Sequence, residues 1–172
     1  MYSVVMMKYE KASDGLGTQL RRLIELLDGD LEKIYENDGV GYRPRFTPIM
    51  KSLAARDGLT IKEISDLSSI SHSAASQTVS KLIDLGWVFS KVGNGDARER
   101  AIYLTNVGRS MLPMLQRRWR ATQAAANKLD AELSSPLSKL LAESIDRLSE
   151  KSFSKRIFEQ EILLDKSKDN LN

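Results

Sequence analysis

Apolar residues between positions 16 and 35 recur at the spacing of a helix face. The stripe consists of Leu16, Leu20, Leu23, Leu27, Leu31 and Ile34. Ile24 and Leu26 lie outside it and widen the apolar surface beyond one face. A helix that is apolar on more than one side must be buried on more than one side. The pattern therefore predicts a long first helix, Leu16 to Tyr35, with more than one packing partner.

Two glycines and two prolines between positions 39 and 48 predict a loop that leads into a short second helix. Thr47 is the expected N-cap of this helix, and Pro48 is expected at its first position. The helix should end near Ala55, because Arg-Asp-Gly follows.

Thr60 and Glu63 have the spacing of a capping box, which predicts the start of a third helix. Its expected buried face consists of Ile61, Ile64 and Leu67. A turn at residues 68–71 precedes a fourth helix, expected from about Ser73 to Leu85 and ended by Gly86. Two short helices joined in this way form a helix-turn-helix pattern.

The sequence after Gly86 changes to a strand-like pattern. Residues 87–92 and 100–104 are the expected strands, and the loop between them opens with Gly93-Asn94-Gly95-Asp96. Such residues tolerate the positive φ angles of tight turns. A helix-turn-helix that continues into a β-hairpin predicts a winged helix, a shape suited to the grooves of duplex DNA.

The remaining chain predicts two helices. Thr105 is the expected N-cap of a long helix that extends to Leu133 and is kinked by Pro113. Residues 134–136 then start a last helix, whose apolar stripe is Leu137, Leu140, Leu141, Ile145 and Leu148, continuing to Phe153 and Ile157. The first dozen residues and the tail from about Leu164 are expected to be loosely ordered. The expected fold class is mainly α with a small β-hairpin wing.

Composition restricts the chemistry of the chain. With 172 residues, 41% hydrophobic and 28% charged, it is expected to be globular, and a net charge of +3 with a pI near 9.1 is compatible with a nucleic-acid partner. The absence of cysteine excludes disulfides and thiolate metal sites, and a single histidine, His72, excludes multi-histidine sites. We therefore expect no metal, no cofactor and no catalytic residues. The apolar patch at residues 4–7 is too short for a signal peptide, and no apolar run could span a bilayer, so a cytoplasmic location is expected.

The fourth helix has one apolar and one polar face. Ala75, Val79, Leu82 and Ile83 are expected to face inward, and the expected DNA-facing residues are Ser71, His72, Ser73, Ser76, Gln77, Ser80 and Lys81. Glutamine can bond adenine through two hydrogen bonds, and serine and lysine can reach bases or phosphates. Backbone N–H groups at the helix start can face a phosphate. The alternative interpretation is an ordinary solvated helix face.

The hairpin adds a second set of candidates for DNA contact. Arg98 and Arg100 follow the turn, and Lys91 lies on the incoming strand. An arginine on a narrow protrusion suits the minor groove, where negative potential is concentrated. Asp96 is close enough in sequence to hold the Arg98 guanidinium in a fixed pose. Because Glu99 is also present, a solvated hairpin of mixed charge is the alternative.

These residues resemble the MarR family of bacterial winged-helix regulators over roughly residues 16–150. The resemblance rests on the Ile64–Ile70 helix and turn and on four further motifs. They are Ala-Ser-Gln-Thr-Val-Ser-Lys-Leu (75–82), Leu-Gly-Trp-Val (85–88), Asp-Ala-Arg (96–98) and Leu-Thr-Asn-Val-Gly-Arg (104–109). The stretch at residues 42–48 resembles one subgroup of the family. Gln77 occupies a position that arginine often holds, so the base preference is expected to differ. The absence of cysteine removes the peroxide sensing of one branch.

The resemblance implies a homodimer that binds double-stranded DNA. Residues 44–106 would form the DNA-binding lobe, and residues 14–38 and 107–163 the helical dimerisation lobe of one chain, 1–172. Two recognition helices about 34 Å apart would bind a pseudo-palindrome. Many relatives are repressors that respond to a small aromatic or phenolic effector.

A ligand pocket is a further hypothesis, bordered by Tyr42, Arg45, Phe46 and Trp119. Aromatic walls and an arginine suit a carboxylated aromatic ligand, but Phe46 and Trp119 as core residues are the preferred alternative. Two other function classes compete with a ligand-responsive repressor. One is a winged-helix protein-docking module or an architectural DNA-binding module without effector response. The other is an enzyme, which the lack of a catalytic domain or an acid–base constellation disfavours.

Overall fold

The computed structural model describes residues 15–92 and 100–169. The chain divides into two compact units, Met1–Leu112 and Pro113–Asn172. The helices are α1 (Leu16–Asn37), α2 (Thr47–Ala55), α3 (Ile61–Ser68), α4 (His72–Asp84), α5 (Asn106–Glu132), α6 (Leu137–Glu150) and α7 (Phe153–Asp169), and the strands are β1 (Leu59–Thr60), β2 (Val88–Val92) and β3 (Arg100–Leu104). This arrangement confirms the expected fold class.

The sheet is antiparallel, and β3 is its central strand. Its order is β1-β3-β2, with Leu59 opposite Ile102 on one side and Ser90 opposite Ile102 on the other. The sequence did not predict β1, because a strand of two residues is too short to show an alternating pattern.

The helix-turn-helix forms as the capping box predicts. The Thr60 hydroxyl oxygen accepts the Glu63 N–H at 3.2 Å, and the Glu63 carboxylate accepts the Thr60 N–H at 2.8 Å. Ser69 ends α3 in the left-handed region, with φ 54°. The Ser65 hydroxyl then donates to the Ile70 carbonyl at 2.7 Å, which fixes the turn before α4.

The core of the first unit lies between α2, α3, α4 and the sheet. Its fully buried aliphatic side chains include Ile49, Met50, Leu53, Leu59, Ile64, Leu82 and Ile102. Beside them is an aromatic cluster of four buried rings, Tyr35, Tyr42, Phe46 and Trp87. The Tyr42 and Trp87 rings are stacked, with an interplanar angle of 12°. The cluster therefore joins the end of α1 to the beginning of the hairpin.

Several local expectations in this unit were wrong. Thr47 is the first residue of α2 rather than its cap, because a 3-10 turn at Pro44–Phe46 leads directly into the helix. Its hydroxyl oxygen accepts a hydrogen bond from Tyr42 instead. Leu67 and Ile83 were expected to be buried, but the side chains are 63% and 40% exposed, since each lies at the edge of its helix's apolar stripe.

The C-terminal region also differs from expectation. The predicted last helix is two helices, α6 and α7, separated at Lys151 and Ser152. The Arg156 guanidinium crosses this break and donates to the Arg147 carbonyl at 2.8 Å. Helix α7 extends to Asp169, beyond the expected order limit at Leu164. The expectation for the first dozen residues lies outside the described residues.

Helices α6 and α7 have apolar side chains without a cover. No residue of α6 is buried, and Ile145 is 63% exposed. Large apolar side chains of α7 are also exposed, among them Phe153, Phe158, Leu163 and Leu164. Exposed apolar surface on this scale marks an interaction site in a soluble domain.

Leu104, Thr105 and Gly108, in the motif at residues 104–109, each have a structural role. Leu104 is buried, and the Thr105 hydroxyl oxygen caps α5 by accepting the Gly108 N–H at 3.0 Å. The same hydroxyl lies 3.1 Å from the Trp87 carbonyl oxygen. A Cβ at Gly108 would overlap this carbonyl oxygen, so only glycine allows α5 to begin so close to β2.

Replacing Gly108 with alanine should destabilise the protein. A helical Gly→Ala change normally stabilises by about 0.5–1 kcal/mol, but overpacking against a backbone carbonyl costs roughly 1–3 kcal/mol. Gly29→Ala in α1 is the matched control, because nothing lies within 4 Å of its Cβ position. Urea unfolding at one protein concentration should give a lower free energy of unfolding for Gly108→Ala and an equal or higher one for Gly29→Ala. A stable Gly108→Ala variant would contradict the close approach.

The capping box should make stability depend on pH in the acid range. Hydrogen bonds from the Thr60 backbone and side chain, with the Arg56 charge, hold the Glu63 pKa below its ordinary value. A lowered folded-state pKa stabilises the fold above the unfolded-state pKa, and this contribution is lost as pH falls through the folded-state value. Stability should therefore decrease between about pH 5 and pH 3. The decrease should be smaller in Glu63→Gln, measured by urea unfolding at each pH; equal decreases would exclude Glu63 as the source.

Candidate nucleic-acid interface

The structure places most of the expected recognition residues on the exposed surface of α4. Ala75, Val79 and Leu82 face the core and are at most 2% exposed. The opposite surface carries Ser73, Gln77, Ser80 and Lys81, all exposed, with Ser76 half-buried at the margin, and Ser71 and His72 are exposed at the N-terminal end of the helix. The separation follows from the 3.6-residue period of the helix, which places residues 75, 79 and 82 on one side.

The start of α4 is capped by a side chain. The Ser71 hydroxyl oxygen accepts the Ala74 N–H at 3.2 Å, and the Ser71 carbonyl oxygen accepts the Ala75 N–H at 2.9 Å. The hydroxyl hydrogen of Ser71 remains able to donate outward. The N–H groups of His72 and Ser73 belong to the first turn, where helix N–H groups have no intrahelical acceptor. This end of the helix can therefore face an anion, and the partial positive charge of the helix dipole adds to that preference.

The opposite end of α4 is fixed to the sheet. The Trp87 N–H donates to the Leu82 carbonyl at 3.0 Å, and Gly86 reverses the chain with φ 70°. The C-terminal end of α4 is therefore hydrogen-bonded to the residue that precedes β2.

The hairpin separates two of its expected DNA contacts. Lys91 pairs with Ala101 and lies on the same sheet face as Phe89 and Tyr103, whereas Arg100 pairs with Val92 on the other face. The Arg100 Nε donates to the Ser90 hydroxyl at 2.8 Å, which fixes the orientation of its guanidinium. Asp96, Arg98 and Glu99 lie outside the described residues.

Some cationic side chains among the described residues of the first unit form ion pairs, and others do not. The guanidinium groups of Arg56 and Arg109 are bonded to Glu63 at 2.5 Å and to Asp57 at 2.6 Å. No carboxylate of the described residues forms an ion pair with Lys81 or Lys91, and both side chains are exposed. A cation that has no internal partner can neutralise a phosphate without first breaking a bond.

Sequence reasoning missed the role of Asp57. Its carboxylate accepts the Leu104 N–H at 2.9 Å and the Arg109 guanidinium at 2.6 Å, so it connects the loop before β1 to β3 and α5. The pattern held no signal for this contact, because the two partners are 47 and 52 positions away.

Two of the four expected ligand-binding residues are core residues of the first unit. The rings of Tyr42 and Phe46 are at most 2% exposed and pack against Trp87. Arg45 is exposed, and its guanidinium carbon lies 5.5 Å from the centre of the Phe46 ring. Trp119 is half-buried and belongs to the second unit. A shallow groove between α2 and α3 was not predicted; Leu67 lies at its edge with Lys51, Ser52 and Glu63.

Residues 15–92 and 100–169 contain neither a cluster of metal-ligating side chains nor a membrane-spanning helix. No group of three or more His, Asp or Glu side chains there is arranged to hold a metal ion. Over the same residues, no helix combines the length and apolar character needed to cross a membrane.

Residues 49–99 match the sequence profile of the MarR family. This segment contains most of α2, the helix-turn-helix and the first strand of the hairpin. A search of the curated proteins found no match.

Solved structures of bacterial regulators are similar to the chain. The PcaV transcriptional regulator of Streptomyces coelicolor, solved with its natural ligand, has a TM-score of 0.59 at 19% identity and covers 81% of this chain and 95% of its own. A MarR protein of Peptoclostridium difficile also has a TM-score of 0.59, at 13% identity, covering 81% and 88%. A probable transcriptional regulator of Pseudomonas aeruginosa has 0.56 at 19% identity, covering 78% and 97%. At these identities, the similarity demonstrates a shared fold.

Proposed function

We propose that this chain is a winged-helix transcriptional regulator of the MarR family, which binds a pseudo-palindromic operator as a homodimer and represses transcription until a small ligand binds. The observation that carries the proposal is the exposed polar face of α4, which lies opposite a fully buried apolar face. Among the described residues of the first unit, the side chains of Ser73, Gln77, Ser80 and Lys81 are exposed.

We assign the major groove to α4. Gln77 has the amide geometry to bond adenine at N6 and N7, and Lys81 can reach a guanine edge or a phosphate. Ser71, Ser73, Ser76 and Ser80 are short, so they let the helix backbone approach the bases closely. His72 and the first-turn N–H groups are assigned to a phosphate at the groove edge.

We assign the minor groove and its flanking phosphates to the hairpin. Arg98 is the residue proposed to enter the groove, held by Asp96, and Lys91 and Arg100 are proposed to contact the backbone. Lys91 and Arg100 lie on opposite faces of the hairpin, which supports contacts to the two strands on either side of one groove.

We propose a homodimer because several helices carry large apolar side chains that are exposed in the single chain. Residues 14–38 and 107–163 form the proposed dimerisation lobe, and exposed apolar side chains occur along α1, α6 and α7. A second copy could bury these faces, and burial stabilises by roughly 25 cal/mol for each Å² of apolar surface. Two-fold symmetry would then present two α4 helices to successive major grooves, about 34 Å apart.

The response to a small ligand is the most specific part of the proposal. It is supported by PcaV, a structural neighbour that was solved with its natural ligand. Arg45 is the exposed cation beside the aromatic cluster, which suits a carboxylated aromatic compound. Tyr42 and Phe46 are buried in the core of the first unit, so Arg45 alone is kept as the proposed contact for this ligand.

The first test is a binding selection from genomic fragments with the full-length protein at two salt concentrations. An inverted repeat with steep salt dependence is the expected result. Sedimentation of the protein with and without the selected fragment should give two chains per site. Binding without sequence preference would instead indicate an architectural protein, and no binding at either salt would favour a docking module.

Gln77→Ala should relax the preference for one base pair in each half-site. Loss of a bidentate contact costs about 1–3 kcal/mol of discrimination. The measurement is a comparison of affinities for the selected operator and its single-base variants. Gln123→Ala on α5, where the amide bonds Asn127, is the matched control and should leave the preference unchanged. A wild-type preference profile in Gln77→Ala would remove Gln77 from base recognition.

Arg98→Ala should weaken binding to all sequences and reduce the salt dependence. Each lost phosphate contact lowers the slope of log affinity against log salt by about 1. The control is Arg56→Gln, since the Arg56 guanidinium is bonded to Glu63 and should release no counterion. The slope is measured by titration across several salt concentrations; equal slopes for the wild type and Arg98→Ala would disprove the hairpin assignment.

A further inference from the structure

We propose that the Asp57–Arg109 pair positions the β2–β3 hairpin for its DNA groove, an inference that rests on the proposed function. The pair joins three parts of the first unit, which are the loop before β1, the end of β3 and the first turn of α5. It contacts no DNA in this proposal, so it acts through the hairpin.

The geometry concentrates several contacts on a short loop. Asp57 accepts the Leu104 N–H at 2.9 Å through one carboxylate oxygen and the Arg109 guanidinium at 2.6 Å through the other. The Gly58 N–H donates to the Ile102 carbonyl at 3.1 Å. Asp57 and Gly58 are therefore hydrogen-bonded to the same strand, β3, at Leu104 and Ile102 respectively.

The space around Gly58 makes this attachment tight. Gly58 has φ 76°, and a Cβ there would lie 2.7 Å from Cε1 of the Tyr103 ring. Tyr103 in turn stacks on Phe89 of β2, with ring centroids 5.5 Å apart. Both strands of the hairpin are thus held against the loop that precedes the helix-turn-helix.

The burial of the pair suits a positioning contact. The Asp57 side chain is 26% exposed and that of Arg109 is 51% exposed, so solvent screens the attraction only in part. Arg109 lies in the first turn of α5, next to the cap at Thr105. If the start of α5 moved, Asp57 would transmit the movement to β3, because it is bonded to both Arg109 and Leu104. The direction of the hairpin relative to α4 would then change.

The neighbouring residue provides a matched control. Arg56 also forms an ion pair, but its partner Glu63 belongs to α3 and not to β3 or α5. Arg56→Gln therefore removes an ion pair from the same loop and leaves the hairpin contacts in place. Asp57→Asn keeps an oxygen that can accept the Leu104 N–H while losing the charge, and Arg109→Gln removes the other partner.

The experiment uses footprinting of the selected operator by the full-length variants. Hydroxyl radicals report the minor groove, and dimethyl sulfate reports guanine N7 in the major groove. Asp57→Asn and Arg109→Gln are expected to lose minor-groove protection and retain major-groove protection, with affinity reduced by up to about fivefold. Arg109→Lys should restore the protection. The double variant should be no worse than either single one, because both remove the same contact.

Two results would overturn the inference. One is full minor-groove protection in both single variants. The other is a parallel loss of both protections and of thermal stability, which would indicate a structural role only.

If the wild type gives no footprint, the proposed function fails separately, and hydrogen exchange of the DNA-free protein tests the contact. Faster exchange at Leu104 and Gly58 in Arg109→Gln than in Arg56→Gln would support the positioning role, and equal rates would overturn it.

Discussion

Trp87 connects the parts of the winged helix. Its N–H bonds the end of α4, its carbonyl oxygen accepts the Thr105 N–H at the start of α5, and its ring stacks on Tyr42. Because backbone groups make two of these contacts, they depend on where the chain runs and hardly on the side chain. The recognition helix, the hairpin and the aromatic cluster are consequently fixed to one residue, and glycine at position 108 is needed to let α5 approach it.

Local sequence signals predicted much of this lobe. The capping box at Thr60, the polar and apolar faces of α4, and the cap at Thr105 each depend on residues within a few positions, so spacing alone is informative. The exposed residues Ser73, Gln77, Ser80 and Lys81 could be predicted for the same reason, since they share one face of one helix. The break at Lys151 and Ser152 was missed because the apolar stripe continues through it.

Contacts between distant positions were beyond the reach of pattern reasoning. Asp57 meets Leu104 and Arg109 only after the sheet has formed, and the two-residue strand β1 exists only because β3 lies beside it. Tyr42 and Phe46 were candidates for a ligand site, with Phe46 as a core residue the preferred alternative, because aromatic residues suit pockets as well as cores. Their burial among other rings is decided by the packing around Trp87, which composition does not reveal.

The short side chains on the exposed face of α4 affect the entropy of complex formation. A serine has one side-chain torsion to order, whereas burying a lysine or glutamine side chain costs up to about 1.5–2 kcal/mol of rotamer freedom. With three serines on that face, Ser73, Ser76 and Ser80, most of the flexibility that the face can lose on binding resides in Gln77 and Lys81. The surface is therefore nearly preorganised before it meets a partner, and the entropic cost of recognition falls on two residues.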